Sequence, residues 1–188
     1  MWPRPRHNWV SIMQEWESIF PASISSSLGS AVEAIDRVAS QTEVLSMFPE
    51  KYSDSDIESL SVHSFYLKKC AAQLETDFLA KASCLNSLRR NHEPPQGIGL
   101  STHDYERMIE SRLLDLAPVV DRIIKTETEE GLASRDADKL TRYRRLLKDI
   151  TDLADFFRTG ANPSPWIRFT DALARLDEKS ADQALRTD

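Results

Sequence analysis

Glycine, cysteine and histidine are scarce in this chain, and their scarcity argues against several kinds of chemistry. Five glycines, two cysteines and four histidines occur among 188 residues. The sequence has no glycine-rich phosphate loop and no Gly-x-Ser-x-Gly turn, which argues against the phosphate-loop enzymes and against an activated serine. We therefore expect no catalytic residue, no metal ligand and no cofactor.

One group of ligand-type residues shares a helix face, since His103, Glu106 and Glu110 stand at positions i, i+3 and i+7. Bundles that bind two metal ions need a Glu-x-x-His motif on each of two helices. The chain has no second copy of such a motif, so these residues do not predict a metal site.

The two cysteines and the lack of long apolar runs indicate the compartment. Cys70 and Cys84 lie on one predicted helix, about 21 Å apart at 1.5 Å per residue, which is too far for a disulfide. The stretch from Ser18 to Val32 carries no charged residue but is too rich in serine to enter a bilayer. We predict a cytoplasmic protein with free thiols and no membrane span.

Composition predicts one domain. Hydrophobic residues make up 40% of the chain and charged residues 29%, with a net charge of -6. The negative charge argues against a protein that coats nucleic acid over its whole surface, although it leaves room for local basic patches. We predict a single α-helical domain over 1–188, with 1–7 as a flexible arm and 179–188 as a frayed tail.

A heptad pattern in the middle of the chain predicts a long helix that ends near residue 90. Apolar residues recur there at alternating steps of three and four, which keeps one helix face towards a neighbour. Ser64 and Lys81 interrupt the stripe, and such polar positions favour a designated helical partner. The stripe consists of Ile57, Leu60, Ser64, Leu67, Ala71, Leu74, Phe78, Lys81, Leu85 and Leu88.

Caps and breaks place five more helices around this third one. The second carries a stripe from Val32 to Phe48 and stops at Pro49, and the fourth should kink at Pro118. No strand pattern occurs, so the fold class is an all-α, single-domain bundle of about six helices. The predicted starts are Asn8, Ser30, Ser53 to Asp56, Ser101 or Thr102, Ser134 or Asp136, and Ser164.

Aromatic residues near the N-terminus form the first candidate binding surface. The three tryptophans are spaced by seven residues, and Phe20 follows one turn later. Two interpretations stay open: the face packs on the chain's own bundle, or it docks in the groove of a partner or of another copy. The residues concerned are Trp2, Trp9, Trp16 and Phe20, beside the basic group Arg4, Arg6 and His7.

Basic residues on the fifth helix form the second candidate surface. Five cations flank both sides of its apolar stripe, and four cations of the third helix add to them. Such a set either lines a phosphate-binding groove, or covers the edges of the stripe with the aliphatic parts of its side chains while the charged ends stay in water. The residues are Lys139, Arg142, Arg144, Arg145 and Lys148, with Lys68, Lys69, Arg89 and Arg90.

These features favour a non-enzymatic protein–protein interaction or assembly module. Its partner would be another protein, through helix-in-groove or bundle packing, or a second copy of the chain. The loop from Asn91 to Gly99 is a further expected contact region. The first alternative is a helical nucleic-acid-binding subunit that uses the basic helix. The second is a nuclease-like helical enzyme in which His92 or His103 acts with carboxylates.

Overall fold

The computed structural model describes residues 23–89 and 103–168, together with 170, 171 and 175. All regular structure in this part of the chain is helical, which confirms an all-α bundle of about six helices. The helices are α1 (Ser23–Ser46), α2 (Asp54–Arg89), α3 (His103–Glu129), α4 (Leu132–Arg135) and α5 (Ala137–Phe156), and residues 165–168, 170 and 171 are helical again.

The four long helices form a ring in which neighbours run in opposite directions. α1 packs against α2 and α5, and α3 packs against the same two helices, so α2 and α5 are diagonally opposed. Arg122 near the end of α3 pairs with Asp56 near the start of α2, whereas Met108 near the start of α3 contacts Cys70 further along α2. This progression makes α2 and α3 antiparallel, and the short connection 47–53 reverses the chain between α1 and α2.

The predicted stripes supply the core. In α2 the described members Leu60, Leu67 and Leu74 are buried, and so are residues from α1, α3 and α5. Ser64 is also buried, but its hydroxyl donates to the Ser61 carbonyl at 3.0 Å within the same helix. The hydroxyl of this polar interruption is therefore satisfied within its own helix. The later members of the stripe, from Phe78 to Leu88, lie outside the described side chains.

Three of the six predicted helix starts are confirmed by their caps. The hydroxyl oxygen of Ser53 accepts from the Asp56 amide at 3.2 Å where α2 begins, and Asp136 caps α5 by accepting from the Lys139 amide at 2.9 Å. Ser164 accepts from the Ile167 amide at 3.2 Å at the start of the last helical segment. A side-chain oxygen at the N-cap satisfies a backbone donor that the helix itself leaves free.

One predicted helix start differs from the structure. α1 begins at Ser23 rather than at Ser30, because a serine-rich stretch has only a modest helix penalty and the backbone continues through the local capping signal. α3 continues as a helix through Pro118. The predicted first helix (8–20), the loop from Asn91 to Gly99 and the tail 179–188 lie outside the described residues.

Candidate protein-interaction site

Three large apolar side chains are exposed where α1 ends. Val44, Met47 and Phe48 are 52%, 65% and 53% exposed. The Met47 amide donates to the Val44 carbonyl at 3.1 Å, and the Phe48 amide donates to the Leu45 carbonyl at 3.3 Å. These bonds between residues three apart form one tight turn beyond Ser46, which brings the side chains of Val44 and Met47 above one another. We call Val44, Met47 and Phe48 the apolar corner.

The exposure of Phe48 corrects the sequence analysis, which placed it in one stripe with Leu45. Leu45 is buried, whereas Val44, which is rotated from it by about 100° around α1, is exposed. Regular helix ends at Ser46, so the 3.6-residue repeat that would carry Phe48 back towards the core no longer applies. The tighter turn that follows leaves the ring of Phe48 towards solvent.

A buried carboxylate fixes the chain that follows the corner. The side chain of Glu127, in the last turn of α3, is fully buried. Its Oε1 accepts a hydrogen bond of 2.8 Å from the hydroxyl of Tyr52 and an ion pair from the ammonium of Lys51. Both partners lie on the connection between α1 and α2. The apolar corner is therefore held on a turn that is bonded to the end of α3.

Hydrogen bonding sets the charges in this cluster. Burial alone would raise the pKa of Glu127, but the hydrogen bonds from Lys51 and Tyr52 outweigh burial and hold that pKa below its ordinary value. The hydrogen bond that Lys51 donates to Glu127 also raises the pKa of Lys51. Burial and the bond to Glu127 raise the pKa of Tyr52. At neutral pH the cluster therefore contains a carboxylate, an ammonium and a neutral phenol.

Acid should weaken the bundle through this cluster. A carboxylate whose pKa is lowered by folding stabilises the fold above its unfolded pKa of about 4.3 and loses that contribution as the pH falls through its folded pKa. We expect Glu127→Gln to flatten the fall in unfolding free energy between about pH 6 and about pH 3. Urea denaturation across this range measures it, and an unchanged slope would contradict the assignment.

Three acidic residues, Glu43, Glu50 and Asp54, are close to the corner in the sequence. Glu43 forms an ion pair with Lys68 across α1 and α2, which neutralises both. Glu50 and Asp54 are exposed and form no ion pair with another described residue. Charged side chains near an exposed apolar patch are typical of a contact surface.

The structure divides the predicted basic set on α5. Lys148 pairs with Asp152, and the ammonium of Lys139 lies 5.7 Å from the centre of the Tyr143 ring. The other three members of the set, Arg142, Arg144 and Arg145, are exposed and form no ion pair with another described residue. Successive residues on an α-helix are rotated by about 100°, so Arg144 faces a different side from Arg142 and Arg145.

Cations of the third predicted helix do not join this set. Lys68 is paired with Glu43 and Lys69 lies over the ring of Phe65, 5.9 Å from its centre. Both residues are on α2, which is diagonally opposed to α5. Arg89 ends α2 but its side chain, like the whole of Arg90, lies outside the described part of the structure.

The carboxylates of the His103 group have structural partners. Glu106 is buried and accepts hydrogen bonds from the indole of Trp166 at 2.9 Å and from the hydroxyl of Thr170 at 3.0 Å. Glu110 accepts from the amide of Thr159 at 3.1 Å. Both therefore bind the segment after α5 to α3. No cluster of three metal-ligating residues occurs among the described residues.

Sequence reasoning missed the two buried carboxylates, although their spacing carried a signal. Glu106 precedes the buried Ile109 by three residues, and Glu127 follows the buried Ile123 by four. Both therefore fall on the apolar stripe of α3, where a charged residue is buried only if it has partners. That position was the available sign that each glutamate ties another segment to the helix.

The predicted tryptophan face, with Trp2, Trp9, Trp16 and Phe20, lies outside the described residues and stays a prediction. Within the described part of the chain, every helix is too short or too polar to span a bilayer. Comparison with known proteins adds no relative: no family model, no curated protein and no solved structure matches this chain.

Proposed function

We propose that this chain is a non-enzymatic protein-interaction module whose apolar corner binds an amphipathic helix of another protein. The observation that carries the proposal is the exposure of Val44, Met47 and Phe48 on adjacent turns, at 52%, 65% and 53%. Contiguous exposed apolar side chains are unfavourable in water and mark contact surfaces in stable proteins.

The size of the corner fits a reversible contact. Complete burial of the exposed parts of three such side chains contributes about 3 to 5 kcal/mol before the loss of motional freedom is subtracted. The turn is already bonded to Glu127 through Lys51 and Tyr52, so little further ordering is needed when a partner binds. A preformed patch of this size supports a complex that assembles and dissociates.

The charges beside the corner favour one type of partner helix. Glu50 and Asp54, two and six residues after Phe48, offer two exposed carboxylates. An apolar helix face flanked by lysine or arginine would bury its stripe on the corner and place its cations beside these carboxylates. We therefore propose a basic-flanked amphipathic helix as the ligand.

Nucleic-acid binding is the alternative function. It is supported by Arg142 and Arg145, which are three residues apart, exposed and on one side of α5. Phosphate contacts by arginine would make binding strongly dependent on salt. Arg142→Ala with Arg145→Ala should then remove binding to an oligonucleotide at low salt, while Arg144→Ala should change it less.

The test of the proposed function compares two variants, each of which replaces exposed apolar side chains with polar ones. Val44→Ser, Met47→Gln and Phe48→Ser together make the corner polar. Phe65→Ser with Leu114→Gln is the matched control, because these side chains are 61% and 57% exposed on α2 and α3. Captured proteins are identified from nuclease-treated lysate, and each candidate helix is then titrated as a purified peptide.

The proposal predicts that the corner variant binds the peptide about a hundredfold more weakly, whereas the control binds it as the native chain does. Charge reversal with Glu50→Lys and Asp54→Lys should weaken binding about tenfold at low salt and less at high salt. Equal binding by the corner variant and the control would refute the site, as would a captured ligand without a basic-flanked apolar face.

A further inference from the structure

A shallow groove between α1 and α5 has no role in the proposed function. Its volume is about 450 Å³, and it is bordered by Ser30, Ala31 and Ala34 on α1 and by Asp149, Asp152, Leu153 and Phe156 on α5. Small residues on α1 let another chain approach the helix closely, and Leu153 and the half-buried ring of Phe156 supply an apolar floor. A cavity of about 300 to 1,000 Å³ can hold a bulky ligand, so large side chains fit here.

We infer that this groove is the docking site of the chain's own N-terminal segment, with Trp9 and Trp16 in the groove. The inference is independent of the apolar corner, which lies at the other end of α1. It chooses the intramolecular alternative for the tryptophan face. Three features support the docking. They are the point at which the N-terminal segment joins α1, the spacing of the two tryptophans and the charge at the border of the groove.

The tether reaches the groove from the correct end. The N-terminal segment joins α1 at Ser23, and Ser30 lies seven residues further on, about 10 Å along the helix axis. Pro21 breaks the predicted first helix immediately before α1, and helices joined by a short connection pack antiparallel. A helix that turns back at Pro21 would place Trp16 beside residue 27 and Trp9 beside Ala34, with both rings along the groove side of α1.

The surface of α1 is open at this point. A methyl group built on Gly29 would meet no atom within 4 Å, and Ser30 beside it is exposed. Tryptophan rings pack well against aliphatic and aromatic groups, and Leu153 and Phe156 provide one of each. Burial of two indoles is the largest apolar gain available to a segment of this composition.

Charges at the border complement those of the segment. Asp149 and Asp152 lie on the α5 side of the groove, and because Asp152 is paired with Lys148, Asp149 supplies the negative charge there. The N-terminal segment carries Arg4, Arg6 and His7 just before Trp9. With Trp9 level with Ala34, these basic residues would approach the Asp149 end of the groove, where opposite charge favours docking over release.

A cysteine placed in the groove tests the inference in the full-length chain. Ala34→Cys should react with a soluble maleimide at least about tenfold more slowly than the same cysteine in a chain that also carries Trp9→Ala and Trp16→Ala. Ala72→Cys, on the exposed side of α2, is the matched control and should react equally in both backgrounds. Mass spectrometry of the labelled peptide separates position 34 from the native cysteines. Equal rates at position 34 in both backgrounds would overturn the inference.

A crosslinking pair provides an independent measurement if the double tryptophan variant fails to fold. In a chain that keeps Trp16, Trp9→Cys with Ala34→Cys should be joined within one molecule by a short bismaleimide. Trp9→Cys with Ala72→Cys should not be joined. Absence of the first crosslink would refute the docking, and crosslinks between two chains would assign the groove to a second copy instead. The peptide titration measures binding at the apolar corner, which is a different surface. Either proposal can therefore be refuted without refuting the other.

Discussion

Glu127→Ala should lower the free energy of unfolding by about 3 kcal/mol, because removing one member of a buried ion pair leaves the remaining members without their hydrogen bond and ion pair. Tyr52 would lose a hydrogen bond of 2.8 Å and Lys51 its ion pair, both to the same carboxylate oxygen. Lys51 is partly exposed and can return to water, which keeps the loss at the lower end of the range for buried pairs. Urea denaturation at neutral pH measures the change.

The matched control is Glu129→Ala, two residues later on the exposed side of the same helix, which should change stability by less than about 0.5 kcal/mol. Hydrogen exchange adds a local measurement. The amides of Met47 and Phe48 are bonded to the carbonyls of Val44 and Leu45, and they should exchange faster in Glu127→Ala than in the native chain. Unchanged exchange there would mean that Glu127 does not hold the apolar corner in place.

Trp166→Ala should cost about 3 to 5 kcal/mol, as expected for a large buried aromatic residue. The indole is almost fully buried, stacks on the ring of Phe156 at a centroid distance of 6.0 Å, and donates to Glu106 at 2.9 Å. Its removal leaves a void between α3 and the segment after α5. It also takes a donor from a buried carboxylate. Chemical denaturation monitored by circular dichroism measures the loss.

Trp166→Phe separates packing from hydrogen bonding. The variant keeps a ring against Phe156 but cannot donate to Glu106, so it should cost about 1 to 3 kcal/mol. A double-mutant cycle with Glu106→Gln then isolates the pair, since Thr170 still donates to the same side chain. A coupling energy near zero would show that the indole contributes through its packing alone.

The fold could be predicted from the sequence because its determinants are local and periodic. The stripe of α2 and the caps Ser53, Asp136 and Ser164 are short-range patterns, and the structure confirms the caps and the stripe as far as Leu74. The start of α1 could not be read in the same way, because the capping pattern at Ser30 was equally compatible with a position inside a helix. Local patterns therefore predict which segments are helical better than where a helix begins.

The candidate site depends on contacts that the sequence does not show. Tyr52 and Glu127 are separated by 75 positions, and only the antiparallel ring brings the connection 47–53 to the end of α3. The exposure of Phe48 depends on one turn beyond Ser46, which the apolar stripe alone does not reveal. The predicted basic set was divided for a similar reason, since α2 and α5 are diagonal in the ring.

Photo-crosslinking from Met47 tests the central claim most directly. A photoreactive amino acid at this position, which is 65% exposed, is compared in native lysate with the same amino acid at Leu114, which is 57% exposed on α3. The account predicts a discrete protein adduct from position 47 alone, mapped to an amphipathic helix with flanking lysine or arginine, and lost when Val44 and Phe48 are changed to serine. Identical adducts from both positions, or none from position 47, would contradict it.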